Sequence, residues 1–545
     1  MAGCGSQGIK KTGVFAGKEE NVTMTLTFFE DGSYEFSSSE AIFDKEQTLR
    51  IDYPEGTTVY YSLDGSVPTN HSTKYSGPIG LGLKQGAIPD AYAFRFACIR
   101  EDGSTSQVAS KTFFVEKDAG TRFTVPVVSI IMPPSDYGTG KGGMMSEEMI
   151  YEKGRDSEYA CHIEAYDADG TMLFCQNGGI RVAGNHSRTF PIKSFSIYAR
   201  KSYDEEHKNF KTDIFRSEKL NGEDGYVDSY DKLRLRCGGN DSQFTFIKDE
   251  LSQDLARQAG FDFYENCIPA GLYINGEYYC YTNIHESYTD KYFSGKLGKH
   301  EGEFITMDGR DATMMDVLPE ENMDEYVAKN DFDQKMAYFL ALDYKKDSSY
   351  DELNRYFDVQ NYLDYFAFNI VIGNGDWPNN NVMYFRYEPG ENGSYGTGYY
   401  DGRWRFLVHD AEYTYNYVGS LGTTAARYND LADLLNPEHD RYAPLFSALW
   451  ENEKARTYFL DKARELNDLL MTEENLVNTY SRLHAARETE LNYFFKYVRK
   501  TLRYKNPNIW CSGSTYSRYE RDMLEFFAER HDAVEKFLTD RDGRF

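Results

Sequence analysis

Two stretches decide the fold: GNGDWPNNNVMYFR at residues 373–386 and GRWRFLVHDAE at residues 402–412. The first sets Asp376 and Asn381 five positions apart on a loop rich in Gly, Pro and Asn. An alternating run at 382–386 follows, and a second, at 404–408, ends directly on His409 and Asp410. A Gly-rich turn separates them, so the pair reads as two strands of one hairpin. Two carboxylates and an amide, delivered by a loop and a strand end, are hard oxygen donors. They suit a divalent cation and in-line phosphoryl transfer. Upstream, residues 358–372 are apolar on most faces and predict a buried helix running straight into the loop.

Working outward, 545 residues allow two to four domains. With 40% hydrophobic and 27% charged residues the chain has the composition of a globular protein. The formal net charge of −27, from 60 basic and 87 acidic residues, argues against nucleic acid and anionic membranes as partners. It makes any local cluster of Arg and Lys informative. No apolar run reaches the roughly 18 residues of a membrane helix. The start, MAGCGSQG, resembles the end of a bacterial lipoprotein cleavage site. It predicts an extracytoplasmic protein, anchored at the cell surface through Cys4 or secreted. The eight Cys form no CxxC pair, which excludes a zinc ribbon. Free thiols are expected, with Cys161–Cys175 and Cys267–Cys280 the pairs that neighbouring strands could join.

The expected domains are a leader with first strands (1–35), an all-β module (36–116), a connector (117–158) and one larger unit (159–545). The larger unit opens with strands at 159–166, 171–181 and 192–200. Arg181, Arg188, Lys193, Arg200 and Lys201 concentrate positive charge around GNHSRTFP (184–191), which fits anion binding. Ile247, Leu251 and Leu255 mark an amphipathic helix over 244–259. Asn275-Gly276 joins strands 268–274 and 278–284 as a hairpin. The last third is helical, with single helices expected at 452–470 and 473–500 and a capping box, Ser517 to Glu520, opening the last one.

In order, these elements match a protein-kinase-like fold. Four stretches, GIRVAGNHSRTFPIKSFSIYARKSY (179–203), YINGEYYCYTNIHE (273–286), NGDWPNNNVMYFR (374–386) and WRFLVHDAE (404–412), together resemble the CotH-type spore-coat kinase family of atypical secreted or surface-associated kinases. VYYSLDGSVPT (59–69) with KYSGPIGL (74–81) resembles the chitobiase/β-hexosaminidase C-terminal-type β-sandwich. Such a module is implied to be a spacer or accessory unit, with surface or glycan association as its further reading. The fold class implied is α+β: an atypical kinase-like two-lobed unit, N-lobe about 159–284 and C-lobe about 285–545, preceded by a small all-β sandwich.

The resemblance also implies roles. Asp376 is the catalytic base. Asn381 and Asp410 bind Mg²⁺, with Mn²⁺ as alternative. Lys193 holds the ATP phosphates, with Arg181, Asn185, Ser187 and Arg188 as further donors. Asp249, or Glu250 next to it, braces Lys193, and Glu286 receives the adenine. The implied activity is transfer of the ATP γ-phosphate to Ser/Thr of an extracytoplasmic, Ser/Thr-rich or basic protein. Departures are clear. No GxGxxG precedes Lys193, Asn374-Gly375 stands where His-Arg precedes the base, and Asp410 is followed by Ala-Glu. The alternative function is a non-catalytic surface protein that binds glycan or protein on a kinase-like scaffold.

Overall fold

The computed structural model describes residues 13–84, 90–299, 301–316, 322–390, 393–417, 424–502, 509 and 511–539. Cys4, on which the lipid-anchor expectation rests, lies outside them. The chain forms two units. One takes residues 1–212, 269–282 and 486–507, the other 213–268, 283–485 and 508–545. The architecture is mixed α+β, all-β at the N-terminal end and helical at the C-terminal end.

In the first unit, short alternating runs build two five-stranded sheets. One orders Val14–Ala16, Ile79–Leu81, Gln47–Asp52, Met24–Phe28 and Tyr34–Phe36; the other orders Ile42–Phe43, Ala109–Val115, Tyr92–Arg100, Thr57–Ser62 and Thr73–Lys74. Leu26, Phe28, Leu49, Phe94, Phe96 and Phe113 share their core. Met24 sits opposite Leu49 in a parallel pairing. The boundary expected at residue 36 therefore falls inside a sheet. The turn at Asp31 closes a hairpin just before it, with the Asp31 carboxylate accepting from the Ser33 N–H at 2.9 Å.

A third sheet in this unit runs Ser194–Tyr198, Met172–Ala183, Tyr159–Tyr166 and Val127–Ile131. Val127 then pairs in parallel with Gly271 of the strand Cys267–Ile274. Val127–Ile131, read from sequence as connector, is a wholly buried strand. A continuous apolar run has no period by which to recognise it. The β-module is fastened here. Arg95 donates to the Ile131 carbonyl at 2.9 Å, Thr112 Oγ1 meets Ser129 Oγ at 2.7 Å, and Phe114 stands edge-on to Tyr273. Behind the sheet, Arg122 pairs with Glu490 at 2.5 Å, and Tyr278 donates to the same carboxylate.

In the second unit a sheet of Thr313–Met314, Phe304–Arg310, Val382–Tyr387 and Arg405–Leu407 carries the predicted hairpin. The helix Val359–Ile372 buries every residue but Gln360, Asn361 and Asp364. Asp358 caps it, accepting from the Asn361 N–H, and Gly373 at φ +72° ends it. The helix expected over 473–500 is broken: Glu473–Ala485 belongs to this unit and Glu488–Tyr497 to the other. The last helix, Gly513–Thr539, begins before the predicted capping box. Ser512 Oγ accepts from the Thr515 N–H there, while Glu520 takes the Tyr480 hydroxyl. The Ser-x-x-Glu spacing serves equally well inside a helix, where i and i+3 share a face. No disulfide joins Cys161 to Cys175 or Cys267 to Cys280, so neither suggested pairing forms. No helix among the described residues is long and apolar enough to cross a membrane.

Candidate active site

The polar loop leaves the Val359–Ile372 helix and immediately gathers three groups. Asn381 Nδ2 donates to Asp376 Oδ2 at 3.1 Å and reaches the Asp410 carbonyl at 3.4 Å. Asn380 reaches the same Asp376 oxygen at 3.3 Å. Asn381 (φ +55°) and Asp410 (φ +47°) both adopt the left-handed conformation, which costs most residues energy but suits Asn and Asp best. Burial and then the Asp410 charge push the Asp376 carboxyl above its usual range. Asp376 and Asp410 thus feel one another's field, with the Asn381 amide between them.

Asp410 sits in an acidic cluster balanced by one cation. Arg236 Nη2 lies 2.5 Å from Asp410 Oδ1 and 2.6 Å from Glu412 Oε2, and Arg236 Nε is 3.5 Å from Asp249 Oδ2. Burial alone would raise the Asp410 carboxyl, but Arg236 and His409 hold it below its usual range. Burial and then Asp410 push Glu412 the other way. Glu412 is fully engaged, since its other oxygen accepts from the Asn240 N–H at 2.8 Å and from the Asn240 amide. Gly239 lets Glu412 approach, because a Cβ there would stand 2.2 Å from Oε2. The Asp410 side chain is 28% exposed, against 3% for Glu412 and 4% for Asp249, so it is the member open to an incoming ion. Burial raises both Glu412 and Asp249, which leaves Asp410 the ionised member of the three, facing Arg236. A divalent cation held by oxygen donors fits this set.

The sequence reading missed Arg236 and the frame around it. The helix Lys248–Gln258 docks the Asp410 segment through its first turns. Asp249 Oδ1 accepts from the Ala411 N–H at 2.9 Å, Gln253 reaches the Val408 carbonyl, and Lys248 Nζ donates to the carbonyls of Thr414 and Tyr415. Burial lowers Lys248 to about 8. On the other side Arg441, Asp430 and Arg530 form a buried row. Arg441 donates to the carbonyls of Trp377 and Asn374 at 2.7 and 2.8 Å. Arg530 caps the last carbonyls of the Val359–Ile372 helix, those of Ile370 and Val371. Two Arg in an otherwise amphipathic C-terminal pattern read as surface, and only burial reveals their task. His409, beside Asp410, bonds Glu265 at 2.8 Å. Behind Asp249, Glu250 lies 3.5 Å from His285 and accepts from Asn283.

Other predicted residues are occupied elsewhere. Asp249 meets Arg236 as its cation, so its expected bracing partner is an arginine on the strand Lys232–Arg236. In the first unit, Lys193 Nζ donates to the carbonyls of Arg188 and Phe190, and burial lowers its pKa. Arg188 is buried and donates to the carbonyls of Gly184, Ile150 and Glu152. Arg181 bonds the Tyr198 hydroxyl and the Gly154 carbonyl. Asn185 accepts from Lys153, and Ser187 lies in the same short turn, His186–Thr189. Glu286 is fully buried, with Tyr230 and both donors of Asn266 on its carboxylate. Its carboxylate is held inside the fold by these donors.

Among family models, residues 180–534 match the family described as CotH kinase protein, and residues 49–113 match the one described as Fn3 associated. The second match falls where the sequence resembles the chitobiase-type sandwich. No curated protein matches the chain.

Proposed function

Because the chain belongs to the CotH kinase protein family, we propose that it is an ATP- and Mg²⁺-dependent protein kinase of two-lobed, kinase-like fold. Its substrates on this reading are Ser/Thr hydroxyls of extracytoplasmic or surface proteins. The observation that carries the proposal is the pairing of Asp376 with Asp410 through Asn381, beside an acidic cluster gathered on Arg236. Asp410 and the Asn381 amide oxygen would hold the metal. When bound, MgATP would supply the transferable phosphoryl group, and its metal the positive charge that offsets the phosphate oxygens. Asp376 accepts the proton of the attacking hydroxyl, and its raised pKa brings it nearer to working pH. Asn381 orients that carboxylate. Arg236 holds Asp410 ionised and aimed, and Glu412 with Asn240 holds Arg236.

The test is incubation with γ-labelled ATP and Mg²⁺ or Mn²⁺, scoring autophosphorylation and a basic, Ser/Thr-rich protein. Asp410→Ala should abolish metal-dependent nucleotide binding and turnover. Asp376→Asn should keep binding and lose about 10²–10⁴-fold in turnover. Equal transfer by wild type and Asp410→Ala would sink the proposal. One observation favours the second reading, a surface binding protein on a kinase scaffold: Lys193, Arg188 and Arg181 spend donors on backbone carbonyls. That reading predicts glycan or protein binding and no thermal shift with MgATP.

A further inference from the structure

His162, Glu164 and Cys175 meet on two adjacent strands of the first unit, Tyr159–Tyr166 and Met172–Ala183. They lie in neither family-matched stretch, since one match ends at residue 113 and the other begins at 180. Cys175 Sγ is 3.5 Å from His162 Nε2, which is 3.9 Å from Glu164 Oε1; all three ligand atoms lie within 4.8 Å of one another. Tetrahedral zinc, with Zn–S about 2.3 Å and Zn–N about 2.0 Å, sets sulfur and nitrogen about 3.5 Å apart. The outer groups are placed as a metal site needs them. His162 Nδ1 bonds Asn177 Oδ1 at 3.1 Å, which fixes the proton there and turns the Nε2 lone pair toward Cys175 and Glu164. Glu164 is oriented by the Tyr166 hydroxyl and the Thr112 N–H, both at 2.9 Å.

We propose that His162, Glu164 and Cys175 hold a structural zinc-class ion, its fourth position filled by water. Binding forms bonds from Sγ, Nε2 and a carboxylate oxygen to the ion. It expels the Cys175 thiol proton. Thr112 belongs to the β-module strand Ala109–Val115, so the ion would rivet that module to the third sheet through Glu164.

The full chain, loaded with Zn²⁺ and dialysed, is assayed for metal; the Co²⁺-loaded form is read for a thiolate-to-cobalt band in the near ultraviolet. One ion per chain is expected, with the band lost in Cys175→Ser, reduced in His162→Gln and kept in Asp410→Asn. Cys267→Ala, in the separate Glu250–Cys267–His285 group, should also keep it. Wild type should release protons on zinc addition, a readout that needs no variant to fold. A wild type that retains no zinc and shows no cobalt band overturns the proposal, as does a band that survives Cys175→Ser.

Discussion

At the residue scale the informative spacing was local. Asp376, Asn381 and Asp410 could be picked out because a loop and a hairpin bring them together within a short stretch of chain. Arg236 could not, because it is 174 positions from Asp410 and only the fold makes them neighbours. Its neighbour Gly239 has a testable consequence. At φ +51°, with Glu412 against it, Gly239→Ala should displace Glu412 and through it Arg236. Turnover should fall about 10–100-fold with near-ultraviolet circular dichroism unchanged. Glu265 offers a pH test. Burial works against its charge, but His409 wins and holds it at about 2, below the usual 4.5. Its stabilisation is complete above pH 4.5 and is lost as pH falls through about 2. Glu265→Gln should flatten that acid limb, worth about 3 kcal/mol at most, in denaturation measured from pH 5 to 2. His409 gives the opposite limb: its raised pKa stabilises below 6.5, and the contribution is lost as pH rises through the folded value.

At the element scale, periodicity did most of the work and failed where it must. The strands Tyr159–Tyr166 and Met172–Ala183 alternate and were found nearly to the residue. Val127–Ile131 is buried at every position, with no alternation to mark it, and was not. The helix Val359–Ile372 was legible from its apolar faces, Asp358 and Gly373, but the clamp on its end was not. Arg530 is wholly buried and donates to the carbonyls of Ile370, Val371, Ala426 and Tyr428. Arg530→Met leaves those acceptors unpaired and should cost about 3–5 kcal/mol. Hydrogen exchange should show the amides of residues 373–376 opening faster than in wild type, because their loop starts at that helix end.

At the scale of the whole molecule, composition announced a globular acidic protein and motif order announced the family. Neither announced how firmly the β-module is attached. A sequence module reads as a bead on a linker, yet this one shares Thr112, Arg95 and Phe114 with the sheet beyond it. Gly65 is part of the same fit, since a Cβ there would strike the Met132 carbonyl at 2.2 Å. Deleting residues 1–116 should therefore bare Tyr273 and Tyr166. The product should be aggregated or strongly destabilised in size-exclusion chromatography and thermal melts, where a true spacer would leave it monomeric and unaltered.

The ion pair between Arg122 and Glu490 spans 368 positions and lies within a single unit. A ribosome adding about 5–20 residues per second needs roughly 20–70 s to cover that interval. Throughout it, Arg122 stands without the helix Glu488–Tyr497 that covers it, and Tyr273 and Tyr278 do so from the moment they are made. The first unit to begin synthesis is thus completed only near the end of translation. From residue 278 to residue 488 the nascent chain carries an open, aromatic-rich sheet, and a chaperone that recognises such a surface has that interval in which to act.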